Sequence, residues 1–98
     1  MYVVFNVLQV PQEGKAKMIE LFGKSADNMK QVPGCLEFMF LDSNEEDKQI
    51  VYTKWENKEA FVAWTQSEAF RRAHDERRTS GSTATGSKLE TYQVIHHT

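Results

Sequence analysis

Tyr2-Val3-Val4-Phe5-Asn6-Val7-Leu8-Gln9-Val10 is the stretch whose reading decides the fold. β-branched and aromatic residues fill it and Pro11 ends it, which is the signature of a strand. Alternation sends Val3, Phe5 and Val7 to one side, and Val4, Asn6, Leu8 and Val10 to the other. Asn6 apart, both sides are apolar. One layer of helices covers one face of a sheet, so the other face needs a second cover. In a chain of 98 residues, that points to a second copy of the chain.

Working outward, Gln12 to about Gln31 has a helical stripe of Met18, Ile19, Phe22, Ala26 and Met29. Gly23 weakens its middle by roughly 1 kcal/mol relative to Ala, and Pro33-Gly34 stops it. Cys35 to Asp42 predicts a second strand, with Leu36, Phe38 and Phe40 on one face. Ser43 to Lys48 suits a hairpin loop. Gln49 to Trp55 alternates as a third strand, and Asn57 is a good N-cap. Lys58 to about Arg78 predicts a helix in two pieces, because Ser67-Glu68 is a credible second N-cap and places a break near Gln66. Thr79 to Ser87 has no apolar periodicity and predicts a flexible loop, of the kind that borders ligand sites. Leu89 to Ile95 closes the set as a last strand. Strand, helix, strand, strand, broken helix, strand is the order of an α+β, ferredoxin-like antiparallel sheet with helices on one face, in a single domain over residues 1–98. The two-sided apolar strands add the expectation of a dimeric α+β barrel.

Composition excludes several functions. Net charge is -2, so no large positive field recruits nucleic acid or an anionic membrane. No apolar run approaches the roughly 20 residues of a membrane span, and no signal-peptide pattern precedes Tyr2. The single cysteine, Cys35, permits no internal disulfide and fits a reducing compartment. The expectation is a soluble cytoplasmic domain without nucleic-acid or membrane partners.

Three residues stand out chemically, and each admits two readings. Asn6 interrupts an apolar strand face. It is either a buried amide bonded to nearby backbone, or an amide aimed into a pocket toward an oxygen-bearing ligand. Trp64, three residues after Phe61, is either core or a pocket wall. His74 is either a helix-surface histidine or a ligand. No Cys or acidic residue flanks it at a structural zinc spacing, and His96 and His97 are adjacent in a tail. A lone His suits haem, whose porphyrin supplies four ligands to the iron, and Phe70 and Ala73 give it an apolar wall. In an unbroken helix Trp64 and His74 would stand about 15 Å apart along the axis and roughly 80° apart around it. A break near Ser67, or a ligand as wide as a porphyrin, lets them line one cavity. Arg71, Arg72, Arg77 and Arg78 around His74 form either a solvated face or partners for ligand carboxylates.

The run Ala60-Phe61-x-x-Trp64-x-x-Ser67-x-x-Phe70-x-x-Ala73-His74 resembles the signature of the haem-degrading monooxygenases of the IsdG type, within the antibiotic-biosynthesis-monooxygenase superfamily. Asn6, Pro33-Gly34 and Thr53-x-Trp55 fit the same pattern. The resemblance covers nearly the whole chain. It implies a homodimer with haem as both substrate and cofactor, dioxygen and an external electron donor such as a reductase, and release of iron. Carried onto this sequence, it makes His74 the axial ligand to haem iron and Asn6 a hydrogen-bond donor on the distal side. Trp64 presses the porphyrin from planarity, and Phe22 packs against the ring. Some relatives place a basic residue in the first helix near a propionate; Leu21 and Phe22 occupy that region here. Two other functions fit the same residues: a dimer that holds haem without turnover, and a cofactor-free oxygenase of an aromatic or quinol substrate.

Overall fold

The computed structural model describes residues 1–98. The chain forms β1 (Tyr2–Gln9), a 3-10 turn (Gln12–Gly14), α1 (Lys15–Phe22), α2 (Ser25–Met29), β2 (Cys35–Asp42), β3 (Lys48–Trp55), α3 (Lys58–Thr65), α4 (Glu68–Thr79) and β4 (Gly86–Gln93). The strands make one antiparallel sheet in the order β2-β3-β1-β4. This is the ferredoxin-like plan that the strand and helix order implies. No helix is long and apolar enough to cross a membrane.

Four local expectations change. The continuous helix expected from Gln12 to about Gln31 is a 3-10 turn and two short helices, parted at Gly23 and Lys24; glycine holds helical backbone poorly. Its inward residues are Met18, Phe22 and Met29, while Ile19 is 52% exposed. On β2, a register shift between Cys35 and Glu37 takes Leu36 out of the Phe38–Phe40 face, and Leu36 is exposed. β4 begins at Gly86 and ends at Gln93 rather than running from Leu89 to Ile95, because its ladder with β1 extends from Gln9↔Gly86 to Tyr2↔Gln93. The loop before it is correspondingly short and tied down. Thr83 Oγ1 donates to the Gly14 carbonyl at 2.7 Å, and the Thr85 amide donates to the Gln9 carbonyl at 2.8 Å. A Cβ at Gly14 would stand 2.8 Å from that of Thr83, so this approach requires glycine.

Register decides which side chains share a face. Val3, Phe5 and Val7 pair with Lys54, Tyr52 and Ile50 on β3, and Tyr52 and Ile50 pair in turn with Met39 and Leu41 on β2. Phe5 packs against Tyr52 and Tyr92, with ring centroids 5.3 and 5.7 Å apart. No helix of the chain covers this face, and Met39, Leu41 and Tyr92 remain exposed. All helices lie against the other face, carried by Tyr2, Val4, Asn6, Leu8 and Val10.

The helix-covered core divides into two. One cluster joins Tyr2, Val4, Met29 and Trp55, with Phe61 and Trp64 packed on it. The Trp55 indole is fully buried and donates to Thr53 Oγ1 at 2.8 Å. The other cluster joins Leu8, Val10, Met18 and Phe22, with Phe40 and Val51 packed on it. Phe38 touches both. On β1 the division falls between Val4 and Leu8, at Asn6. A buried lysine holds the far end: Lys15 Nζ donates to the carbonyls of Ser43 and Glu46 and pairs with Asp42 at 3.1 Å. That fixes the β2–β3 hairpin against α1.

Candidate functional site

No apolar residue of α4 packs against either core cluster. This helix buries no residue, nor does α3. α4 packs on α3 and makes no comparable contact with the sheet. Its half-buried residues are Phe70, Ala73 and Arg77. Asn6 lies on the helix-covered side of the sheet and is half-buried. Its amide takes part in none of the chain's side-chain hydrogen bonds. The bond to nearby backbone that one of its two readings expects is not made. Its cross-strand neighbours are Val51 on β3 and Leu89 on β4. Leu89 points to the same side of the sheet yet is 57% exposed.

The break near Ser67 organises the opposite wall. α3 begins on the Asn57 side chain, which accepts from the Ala60 amide at 2.8 Å, and it ends at Thr65. Ser67 caps α4: its Oγ accepts from the Phe70 amide at 3.1 Å and donates to the Trp64 carbonyl at 2.7 Å. One hydroxyl thus holds the last turn of α3 to the first turn of α4. Trp64 meets Phe70 edge to face at 5.5 Å, and Phe70 meets His74 at 4.3 Å. Phe70 and His74 are four residues apart on one helix face. The break therefore brings Trp64 and His74 into one aromatic row, with Phe70 between them.

His74 itself is exposed. Partial desolvation pushes its pKa below the ordinary imidazole value, the Arg77 charge pushes it the same way, and Asp75 opposes them. The ring is accordingly neutral at neutral pH, the form that can ligate a metal. Phe22 belongs largely to the core. Its ring stacks on Phe40 at 4.6 Å, and the Arg77 guanidinium lies 4.7 Å from its centroid. Arg77 is half-buried, and burial lowers its pKa.

The residues present fit a porphyrin better than a bare ion. No group of three or more His, Cys, Asp or Glu side chains gathers to hold a metal. A single neutral imidazole, an unpartnered amide and a row of aromatic rings match a ligand that brings its own equatorial donors. Two surface hollows lie elsewhere, one in the Ser43–Lys48 hairpin and one beside Met29, Cys35 and Phe38.

Sequence alone placed the break between α3 and α4 and named Asn6, Trp64 and His74 as candidates. It did not single out Leu89, because a strand partner is known only once register is set. Nor did it separate Arg77 from the three arginines near it.

A four-stranded antiparallel sheet with every helix on one face defines a ferredoxin-like α+β fold. Residues 1–76 match the antibiotic biosynthesis monooxygenase family, and the chain belongs to it. A heme-degrading monooxygenase of Shouchella clausii is 31% identical over 96 residues, spanning 96% of this chain and 90% of that protein. A mycobilin-producing heme oxygenase of Mycobacterium tuberculosis is 32% identical over 94 residues, spanning 95% and 88%. The structure of the heme-degrader MhuD from Mycobacterium tuberculosis, with two hemes bound in its active site, is 30% identical. It superposes with a TM-score of 0.83 over 100% of this chain and 99% of that one.

Proposed function

We propose that the protein is a haem-degrading monooxygenase of the IsdG type, acting as a homodimer in the cytoplasm to free iron for the cell. The observation that supports this reading best is the interrupted core. Asn6 splits the apolar face of β1 and makes no side-chain hydrogen bond within the chain, on the side of the sheet that the helices cover, and α4, which carries His74, joins neither core cluster. The names of the relatives, which act on haem, point the same way.

Haem is the substrate, and when bound it supplies the iron at which dioxygen, with electrons from an external reductase, attacks its own ring. The chain supplies the surroundings. His74, on α4, would offer one neutral nitrogen lone pair to the iron. Phe70 fixes the tilt of that imidazole by packing on it. Asn6 donates an N–H from the sheet side and orients an oxygen without adding charge. Trp64 is broad and stiff, and its carbonyl is held by Ser67; it would press on one part of the macrocycle and so favour attack at one region of the ring. Phe22 supports the far end from within the core. A second copy covers the bare face around Phe5, Tyr52 and Met39, and gives the apolar strands their second layer.

The test is to add haemin to the purified protein, then a reductant in air. Loss of the Soret band with release of chelatable iron and appearance of an opened tetrapyrrole is expected. Haem that binds but stays intact sinks the enzyme reading and leaves a haem-holding dimer. Failure to bind haem, with oxygen uptake on quinols, favours the cofactor-free class instead.

A further inference from the structure

Arg77 follows His74 by three residues on α4, so both side chains lie on one face of the helix. The Arg77 side chain reaches across to α1, where its guanidinium lies 4.7 Å from the Phe22 ring centroid. Its neighbours behave differently. Arg72 pairs with Glu68 at 3.5 Å, and Arg78 with Asp75 at 2.8 Å, both along the exposed surface of the same helix. Arg77 is drawn inward, and no carboxylate of the chain pairs with it. A guanidinium laid on an aromatic ring keeps its N–H edge free to donate. Removing a charge from water without a counter-ion is costly, and a planar fork matches a carboxylate with two parallel hydrogen bonds.

We propose that Arg77 is the anchor for a carboxylate of a ligand that binds beside α4. Resting on the haem reading, that carboxylate is a haem propionate. The anchor distinguishes the acidic edge of the macrocycle from its apolar edges, and so selects which way round the ring enters. Phe22 serves it from below as a platform.

The experiment titrates the full-length apo protein with haemin and with haemin dimethyl ester, whose propionates carry no charge. Arg77→Met and Arg77→Lys are titrated beside the wild type, and circular dichroism checks that each is folded. The wild type is expected to bind haemin about tenfold more tightly than the ester, the lower end of what a charge-assisted hydrogen bond supplies. Arg77→Met, which keeps an apolar stem over Phe22, is expected to lose that preference and leave ester binding unchanged. Arg77→Lys should retain part of it. Equal weakening of both ligands in Arg77→Met makes Arg77 structural and overturns the proposal, as does haemin binding equal to the wild type. A wild type that binds both porphyrins equally overturns the Arg77 proposal alone. A wild type that binds neither overturns the haem reading and this proposal together.

Discussion

Replacing Ser67 by Ala tests the hinge on which the site is built. The substitution removes two hydrogen bonds through one oxygen: the 3.1 Å bond from the Phe70 amide and the 2.7 Å bond to the Trp64 carbonyl. Loss of an N-cap costs about 1 kcal/mol. The second bond adds a fraction of that, since the site is only part-buried. In a domain of this size about 1 kcal/mol lowers the melting temperature by roughly 4–8 °C. The two bonds are separable. Ser67→Thr keeps both. Ser67→Asp keeps the cap but, ionised, cannot donate to Trp64. The order of melting temperatures is therefore Ser and Thr together, then Asp, then Ala. Haemin affinity should follow a different split: Asp should fall with Ala if the Trp64 bond aligns the aromatic row. Thermal melts and Soret titrations on the four proteins decide this. An Ala variant that melts within 1 °C of the wild type, with unchanged haemin binding, would falsify the hinge argument.

Asn6→Leu should join the two core clusters, raise or preserve the melting temperature by up to about 1 kcal/mol equivalent, and lower haem turnover at least about tenfold; a large loss of stability would show that Asn6 is a structural amide. His74→Ala should change the Soret spectrum of the haemin complex, and an unaltered spectrum removes His74 as ligand. In the apo protein the imidazole protons of His74 should titrate below the ordinary value of 6.5. Because the fold favours the neutral ring, the unfolded chain binds more protons in that window. Stability is then present above the unfolded pKa and declines as pH falls through the folded pKa. Arg77→Met should move the NMR midpoint upward, and a midpoint at or above 6.5 in the wild type contradicts the assignment. Tyr52→Lys puts a charge in the bare apolar face and should convert a dimer to a monomer in sedimentation velocity; a wild type that is already monomeric at micromolar concentration refutes the two-copy barrel.

The fold was legible because its signals are local and mutually consistent. Alternation in Tyr2–Val10 set the strand, its two faces and the direction of Asn6. Ser67 and Asn57 marked helix starts that their side chains do make. What stayed hidden depends on partners distant in sequence. Leu36 has the right alternation to share a face with Phe38, but a register shift against β3 displaces it. Thr79–Ser87 reads as flexible because Ser, Thr and Gly carry no apolar period. Yet its hydroxyls and amides find carbonyls on Gly14 and Gln9, nearly 70 residues or more away. The candidate site's members were named from the sequence, and their geometry was not. Trp64 and His74 were visible; that Phe70 bridges them, and that Arg77 alone of four arginines turns inward, required the helix to be placed.

The divided core is the feature that joins stability to function here. A continuous apolar strip from Tyr2 to Val10 would let α4 settle onto the sheet and bury its own inner face. Asn6 interrupts that strip. An amide with no internal partner is tolerable only where water or a ligand reaches it. The same gap explains why α4 carries its apolar contacts sideways, along Trp64, Phe70 and His74, rather than down into β1. A wide, flat, apolar ligand with one metal and an acidic edge would meet each of these features: the neutral imidazole on one wall, the neutral amide on the other, and the unpaired cation at the Phe22 end. It would also return to the fold the packing that Asn6 withholds. Saturating haemin should therefore raise the melting temperature of the wild type by several degrees. The same addition should leave Asn6→Leu, whose gap is already filled, nearly unmoved. A stabilisation equal in both proteins would place haem binding somewhere other than the gap at Asn6.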